Sequence, residues 1–405
     1  MNLLSEKGII YNSTPLDNLK TLLDSGHGIY LGFDLTASSL HWGHYLLMLV
    51  LNKASDYGIK TVIILGDFTT KIGDASWRTE DRKILESSVI QSNLEQIREQ
   101  FKVLCPKSEI VLNSTFYRNF SIEMMSDLMK NFKLSTLLSK DFLSVRLSQD
   151  SLTLRDAFYP VLQSFDFYNL AVDKNVTIQM GGQDQWGNIT TGIEFIKKKD
   201  NSIPTGGFTI PLLTDSNGVK FGKSGKNTLF LNSKLTSPYK VYQYFWNLSD
   251  EKLKELSIFL FDSEIDSYES MTPECKSKII EKLFSGVYRD NSFRAIKKAS
   301  ELLFQKNSDI REKVFTEEDL KDLSSVLPFY ETSGPTNIST ILVNLGFSSS
   351  HSESKRLVEL EKCVSCFSYV FKNHKEILDT KLSSSSYFLI KKGEKEYGIF
   401  HYSGE

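Results

Sequence analysis

The sequence predicts an α/β fold: a parallel-sheet domain over residues 1–228, an α-helical domain over 229–326, a linker at 327–336 and a small α+β domain over 337–405. Three observations carry this expectation. Two apolar runs, GIYLGF (28–33) and KTVIILGDF (60–68), are separated by a polar loop and a helix-length segment, with no room for a hairpin. From about Ser237 the strand signal fades and helical periodicity dominates as far as about Leu323. The last stretch, SYFLIKKGEKEYGIFHY (386–402), runs in short alternating segments around a glycine, as a hairpin does.

Taken in order, 28–33 reads as a buried strand, DLTASSL (34–40) as a loop, and Trp42 to about Tyr57 as a helix closed by Gly58. With the strand at 60–68 this makes a βαβ unit, which implies a parallel sheet and a right-handed crossover. Ligands of such sheets lie beyond the carboxyl ends of the strands, which puts 34–44 and 68–82 on the lip of a site. Thr79 is a candidate cap for a long helix through RKILESSVIQSNLEQIREQF, and SEIVLNS (108–114) reads as a third strand. Residues 151–170 read as a helix ending near Asn169–Leu170, VTIQMGG (176–182) as a strand, and QWGNITTGIEFI as the next helix. FTIPLLT, DSNG and VKFGKS (208–224) read as an extended segment broken by an Asn-Gly turn. SSVLPFYETSGPTN (324–337) is turn-rich and reads as the linker.

Length and composition set the outer limits. The 405 residues suit two or three domains, and 40% hydrophobic with 24% charged residues is ordinary for a soluble globular protein and too apolar for a disordered one. Lys+Arg number 48 against 50 Asp+Glu, a balance that argues against binding nucleic acid through bulk charge while leaving room for a local basic patch. The N-terminus has no basic start and no long apolar core, and no run approaches the roughly 20 residues of a membrane helix, so a cytoplasmic protein without a membrane partner is expected. Four cysteines are too few for a disulfide framework. Cys363 and Cys366 form a C-x-x-C pair with only His351 and His374 nearby, and two reduced thiols in a strand-like stretch is the simpler reading than zinc.

Four constellations carry chemistry. His41-Trp42-Gly43-His44 sits at a helix start, where free N–H groups and the dipole favour anions such as phosphate. Lys220-Phe221-Gly222-Lys223-Ser224 places two lysines three apart on a glycine-bearing loop, suited to closing over a triphosphate. GGQDQWGN (181–188) combines close backbone approach with an acid and amides that can grip ribose hydroxyls. Tyr159, Gln163 and Asp166 fall at i, i+4 and i+7, one helical face. Each also has a plainer reading: a surface histidine pair, a solvated basic loop, an ordinary strand-to-helix turn and a solvent-facing stripe.

Their order along the chain resembles the class I aminoacyl-tRNA synthetases, and within them the bacterial-type tyrosyl-tRNA synthetases, from about Ile10 to Leu248. The segment TNISTILVNLGFSSSHSESKRLVEL (336–360) looks like the S4-type RNA-binding module of that family. The resemblance implies a Rossmann-like catalytic domain, a helical anticodon-binding domain and an S4-like tail. It implies that Tyr30 and Asp166 read a substrate phenol and that Asp74, Tyr159 and Gln163 hold the ammonium group, with Asp34, Gln179 and Gln185 lining the same pocket. His41, Gly43 and His44, with Gly32, Gly182, Asp184, Lys220, Lys223 and Ser224, match positions around ATP. Arg78, Arg82, Lys220 and Lys223 match two loops that embrace pyrophosphate. The substrate carboxylate itself attacks the α-phosphorus in such a family, so catalysis is positioning and charge stabilisation. ATP as a substrate with Mg²⁺, no protein-ligated metal, tRNA(Tyr) and L-tyrosine as partners and a homodimer follow as implications.

A site built to hydrogen-bond a phenol rejects phenylalanine, which leaves buried polar groups without a partner; this family is itself a standard illustration of that rule. Within the class, the tryptophanyl enzyme shares the scaffold, but a carboxylate at Asp166 facing Tyr30 suits a hydroxyl better than an indole. A catalytically inactive, synthetase-like RNA-binding protein is the other alternative, and retention of both histidines, Lys220 and Lys223 speaks against it. Departures from the family pattern are Leu35, Trp42, Ala75 and Gln183, of which Trp42 and Gln183 bear on nucleotide or inhibitor affinity. Leu360 to Cys366 replaces the usual Gly-rich turn of the S4-like tail, whose Lys355, Arg356, Lys391, Lys392 and Lys395 fit either phosphate contacts or a solvated face.

Overall fold

Fully apolar strands cannot present one face to water, and the first unit of this chain solves that with helices against a central sheet. The structure, a computed structural model, describes residues 1–74, 85–211, 228–288, 291–304, 315–361, 363–366, 369–376, 386–393 and 396–403. Contacts divide it into two units, Met1–Leu231 with Ser249–Glu269, and Asn232–Leu248 with Ser270–Glu405.

The first unit holds strands β1 (Asn12–Ser13), β2 (Gly28–Asp34), β3 (Thr61–Gly66), β4 (Glu109–Leu112), β5 (Val176–Gly182) and β6 (Gly206–Ile210) in the order β1-β6-β5-β2-β3-β4. All neighbours are parallel except β1, which runs antiparallel to β6. The chain moves outward from β2 to β3 and β4 on one side and returns through β5 and β6 on the other. The strand order therefore reverses between β2 and β5, and a crevice opens there at their carboxyl ends. Tyr30, Val62, Ile64 and Val111 share one sheet face with Val161, Phe167, Leu170 and Ala171 of the helix Leu154–Lys174 and Phe195 of the helix Trp186–Lys199. Phe33, of opposite parity on β2, packs on Phe101 of the helix Ser87–Leu104 at 4.8 Å.

Several expectations are adjusted. The helix begun at Leu154 runs to Lys174, because Asn175 closes it in the left-handed conformation (φ 54°) rather than the chain breaking at Asn169. The long helix near residue 82 is described only as Ser87–Leu104, and Thr79, the Asn-Gly turn and VKFGKS lie outside the described residues. The helical stretch 229–326 is divided: Ser249–Glu269 belongs to the first unit, where Lys53 Nζ lies 5.5 Å from the Phe261 ring centroid and Lys7 pairs with Asp266.

In the second unit the helices Pro238–Trp246, Pro273–Ser285 and Asn291–Phe304 pack through aromatic rings such as Phe245 on Phe284. A five-stranded sheet follows in the order β7-β11-β10-β8-β9. The segment expected as a linker supplies β7 (Phe329–Thr332), parallel to β11 (Glu396–Tyr402). β10 (Tyr387–Lys392) forms the expected hairpin with β11, turning at Gly393 (φ 60°). β8 (Val364–Cys366) and β9 (Tyr369–Val370) complete the sheet. Cys363 and Cys366 are free thiols, while His351 bonds Ser339 and His374 bonds Glu359.

Gly207 sets how closely the helix Trp186–Lys199 approaches the sheet: a Cβ there would lie 2.4 Å from Ile189 Cγ2 and 3.2 Å from the Gln179 carbonyl oxygen. Gly207→Ala is expected to destabilise the first unit by about 1–3 kcal/mol, read as a lower denaturation midpoint.

Candidate active site

Alternation along β2 turns Tyr30, Gly32 and Asp34 to one face, and register pairs Tyr30 with Gln179 of β5. Gly32 is exposed between buried neighbours, so the missing side chain leaves an opening in the sheet surface. Tyr30 is 1% exposed, its ring 5.2 Å from that of Phe167, and its hydroxyl has no hydrogen-bond partner among the described residues. Gln179 Oε1 is likewise buried and unpartnered. Unmatched buried polar atoms are costly, and two facing each other across β2 and β5 are what a polar ligand would satisfy.

Asp166, buried on the helix Leu154–Lys174, accepts from Tyr117 Oη at 2.7 Å and Asn113 Nδ2 at 3.0 Å. Burial pushes its carboxyl up to about 7; those two bonds oppose the rise, and the charges of Asp34 and Asp67 add to it. Burial, reinforced by Asp166, holds the Tyr30 hydroxyl well above its usual range, so it stays a neutral donor. The same helix carries Tyr159, buried, and Gln163, half-buried.

Asp34 ends β2 and accepts from Thr69 Oγ1 at 3.2 Å and Thr70 Oγ1 at 3.5 Å. Gly66 permits that turn, since a Cβ would stand 2.4 Å from Thr69 Oγ1 and 2.6 Å from Asp34 Oδ1. Asp74 accepts from Gln185 Nε2 at 2.8 Å, and Gln185 Oε1 accepts from Asn188 Nδ2 at 3.0 Å. Asp34, Asp74 and Gln185 thus lie at or beyond the carboxyl ends of β2, β3 and β5, while Gln179 is buried within β5 opposite Tyr30. Gly182 ends β5, and Asp184 lies in the single turn Gln183–Gln185 before the next helix.

His41 and His44 form a capping box. His41 Nδ1 accepts from the His44 N–H at 3.2 Å, His44 Nδ1 faces the His41 N–H at 3.5 Å, and the rings stack at 3.5 Å around Gly43. Burial, then the neighbouring His41, holds His44 well below its usual pKa. A neutral ring whose Nδ1 accepts carries its proton on Nε2, so each imidazole is a donor at the helix N-terminus. Trp42 is 1% exposed and packs edge-on against Tyr45, so its indole belongs to the core rather than to a nucleotide surface. The Trp42 backbone N–H donates to the Leu229 carbonyl and the Leu231 N–H to that of Leu40, which seats the chain just after residues 212–227 beside His41.

Arg78, Arg82, Lys220, Lys223 and Ser224, with Ala75, lie outside the described residues. Asn113, Tyr117, Thr69 and Thr70 were not anticipated; the one signal for them is their polarity just beyond the carboxyl ends of β3 and β4.

The family "tRNA synthetases class I (W and Y)" matches residues 25–305. A tyrosine–tRNA ligase of Mycoplasma mobile is 34% identical over 88% of both chains, and one of Mycoplasma mycoides is 30% identical over 98% of this chain and 97% of its own. A C-terminally truncated mitochondrial tyrosyl-tRNA synthetase of Aspergillus nidulans shares the fold with a TM-score of 0.65 at 22% identity, covering 75% of this chain and 93% of its own.

A phenol that donates to Asp166 binds the ionised carboxylate. Because burial pushes that carboxyl up to about 7, affinity for a phenolic ligand that donates to it is expected to rise as pH increases from 6 to 8 and to lose this dependence in Asp166→Asn, as calorimetric titration would read.

Proposed function

Because this chain belongs to the class I tRNA synthetases of tryptophan and tyrosine, and within them to the tyrosine–tRNA ligases, we propose that its crevice between β2 and β5 is where L-tyrosine meets ATP. The observation that carries this reading is the buried, unpartnered Tyr30 hydroxyl, close enough to Asp166 for that carboxylate to raise its pKa further. A phenol offers what both lack: its oxygen accepts from Tyr30 and its proton is donated to Asp166. An indole N–H serves only the carboxylate, which favours tyrosine over tryptophan.

In this reading Asp74, Tyr159 and Gln163 take the ammonium group, with Asp34, Gln179 and Gln185 around it. His41 and His44 donate from Nε2 to the nucleotide phosphates, Gly32 and Gly43 admit it closely, and Gly182 with Asp184 meet the ribose. The tyrosine carboxylate attacks the α-phosphorus; a C–O–P bond forms, the bond to the bridging oxygen breaks, and pyrophosphate leaves. Arg78, Arg82, Lys220 and Lys223 are assigned to the charge developing on that leaving group, and Ser224 to ATP binding. A hydroxyl of the terminal adenosine of tRNA(Tyr) then attacks the acyl carbonyl and AMP departs.

Magnesium dehydrates reluctantly and binds largely through substrate phosphates, so it enters as part of the nucleotide substrate. Among the described residues, no group of three or more His, Cys, Asp or Glu side chains could hold a metal. A homodimer is supported by exposed apolar side chains concentrated between residues 122 and 154, with Ile122 74%, Leu134 59% and Leu154 80% exposed. The helices of the second unit are assigned to the anticodon and its C-terminal sheet, with Lys355, Arg356, Lys391 and Lys392, to S4-like RNA binding. No described helix is long and apolar enough to cross a membrane.

Amino-acid-dependent pyrophosphate exchange tests the reading: tyrosine is expected to support it, and activity with tryptophan but not tyrosine would overturn it. Lys220→Ala with Lys223→Ala is expected to slow adenylate formation on the order of a hundredfold while leaving tyrosine affinity nearly intact. A collapse of tyrosine affinity instead would make those lysines structural.

A further inference from the structure

The helix Leu154–Lys174 carries Tyr159, Gln163 and Asp166, and two arginines that take no part in the chemistry above hold its first turn. Arg146, 2% exposed, lies with Nη2 3.2 Å from Asp156 Oδ2 and donates to the Ser151 carbonyl at 2.9 Å. Asp156 also accepts from the Thr153 N–H at 2.9 Å and its hydroxyl at 2.8 Å, the capping box that starts the helix. These bonds are local, joining residues between 146 and 156.

Arg155 is different, because it reaches across the crevice wall. Half-buried, it donates from Nη2 to the carbonyl of Lys71 at 2.6 Å, 84 positions away in the chain. Lys71 closes the turn Thr69–Lys71, whose Thr70 hydroxyl accepts from the Leu35 N–H at 2.7 Å and whose threonines hold Asp34. From this turn the chain passes through Ile72 and Gly73, the latter at φ 85°, directly to Asp74. One guanidinium therefore joins the start of the helix bearing Tyr159 and Gln163 to the turn that delivers Asp74. A charged donor on a backbone carbonyl is among the stronger hydrogen bonds, and here it ties together two elements far apart in the chain.

We propose that Arg155 is a positioning residue for the substrate ammonium group: it sets the spacing between Asp74 on one side and Tyr159 with Gln163 on the other. This rests on the tyrosine reading given above. Misplacing partners of a charged group by a fraction of an ångström weakens its recognition without touching the phenol end, which Tyr30 and Asp166 hold from deeper in the fold.

The test compares L-tyrosine with 3-(4-hydroxyphenyl)propanoate, the same molecule without the ammonium group, binding to the full-length protein. Arg155→Met is expected to weaken tyrosine about five- to twentyfold, to leave the analogue within about twofold, and to be partly rescued by Arg155→Lys. Equal weakening of both ligands, or no change in either, would overturn the proposal. So would an Arg155→Met protein that no longer gives a cooperative melt, because that assigns the residue to the fold. Asp74→Asn separates the two levels. If it fails to weaken tyrosine relative to the analogue, the ammonium site itself is misassigned; if it succeeds where Arg155→Met does not, only the role of Arg155 falls.

Discussion

Removing the Asp166 carboxylate from water costs several kcal/mol unless hydrogen bonds compensate, and the interior of the first unit is arranged around that cost. Asn113 and Tyr117 each supply one donor, and Tyr117 is itself held by a ring stack on Phe68 at 4.1 Å. Two donors satisfy part of what a carboxylate can accept and leave capacity facing Tyr30. The remaining imbalance, a carboxyl at about 7 beside an unpartnered hydroxyl, is a stored demand for a ligand group that both donates and accepts. A phenol meets it, and an alkyl or phenyl side chain does not.

The sheet topology explains why this demand sits beside the proposed nucleotide site. Reversal of strand order between β2 and β5 opens one crevice, and the residues that end these strands, Asp34 and Gly182, form its lip. The helix that follows β2 begins with His41 and His44, so its dipole and its two Nε2 donors meet the same opening. Deep in the crevice lies a polar pair, at its rim lie carboxylates and amides, and at its outer edge lies a helix N-terminus. In the proposed reading this gradient orders an amino acid ahead of a triphosphate.

Much of this was legible in the sequence where a single physical rule acts locally. β2 and β3 are apolar without alternation, so burial on both faces and a parallel sheet follow directly. The histidine pair and the Tyr159, Gln163, Asp166 face are visible through spacing alone. The helix end at Lys174 was missed because Asn169 looks like a terminator, whereas Asn175 takes the left-handed conformation. β7 was missed because Pro328, Gly334 and Pro335 punctuate a four-residue strand whose partner lies nearly seventy residues on. Asn113, Tyr117 and Arg155 were illegible for the same reason: each is one polar residue whose meaning depends on a partner 49 to 84 positions away.

A crystal structure of the full-length protein with L-tyrosine bound tests the central claim most directly. The account predicts the phenol oxygen at hydrogen-bonding distance, about 2.6–3.2 Å, from both Tyr30 Oη and an Asp166 carboxylate oxygen. A tyrosine whose ammonium group rather than its phenol faces Asp166, or whose ring lies outside the crevice between β2 and β5, would contradict it.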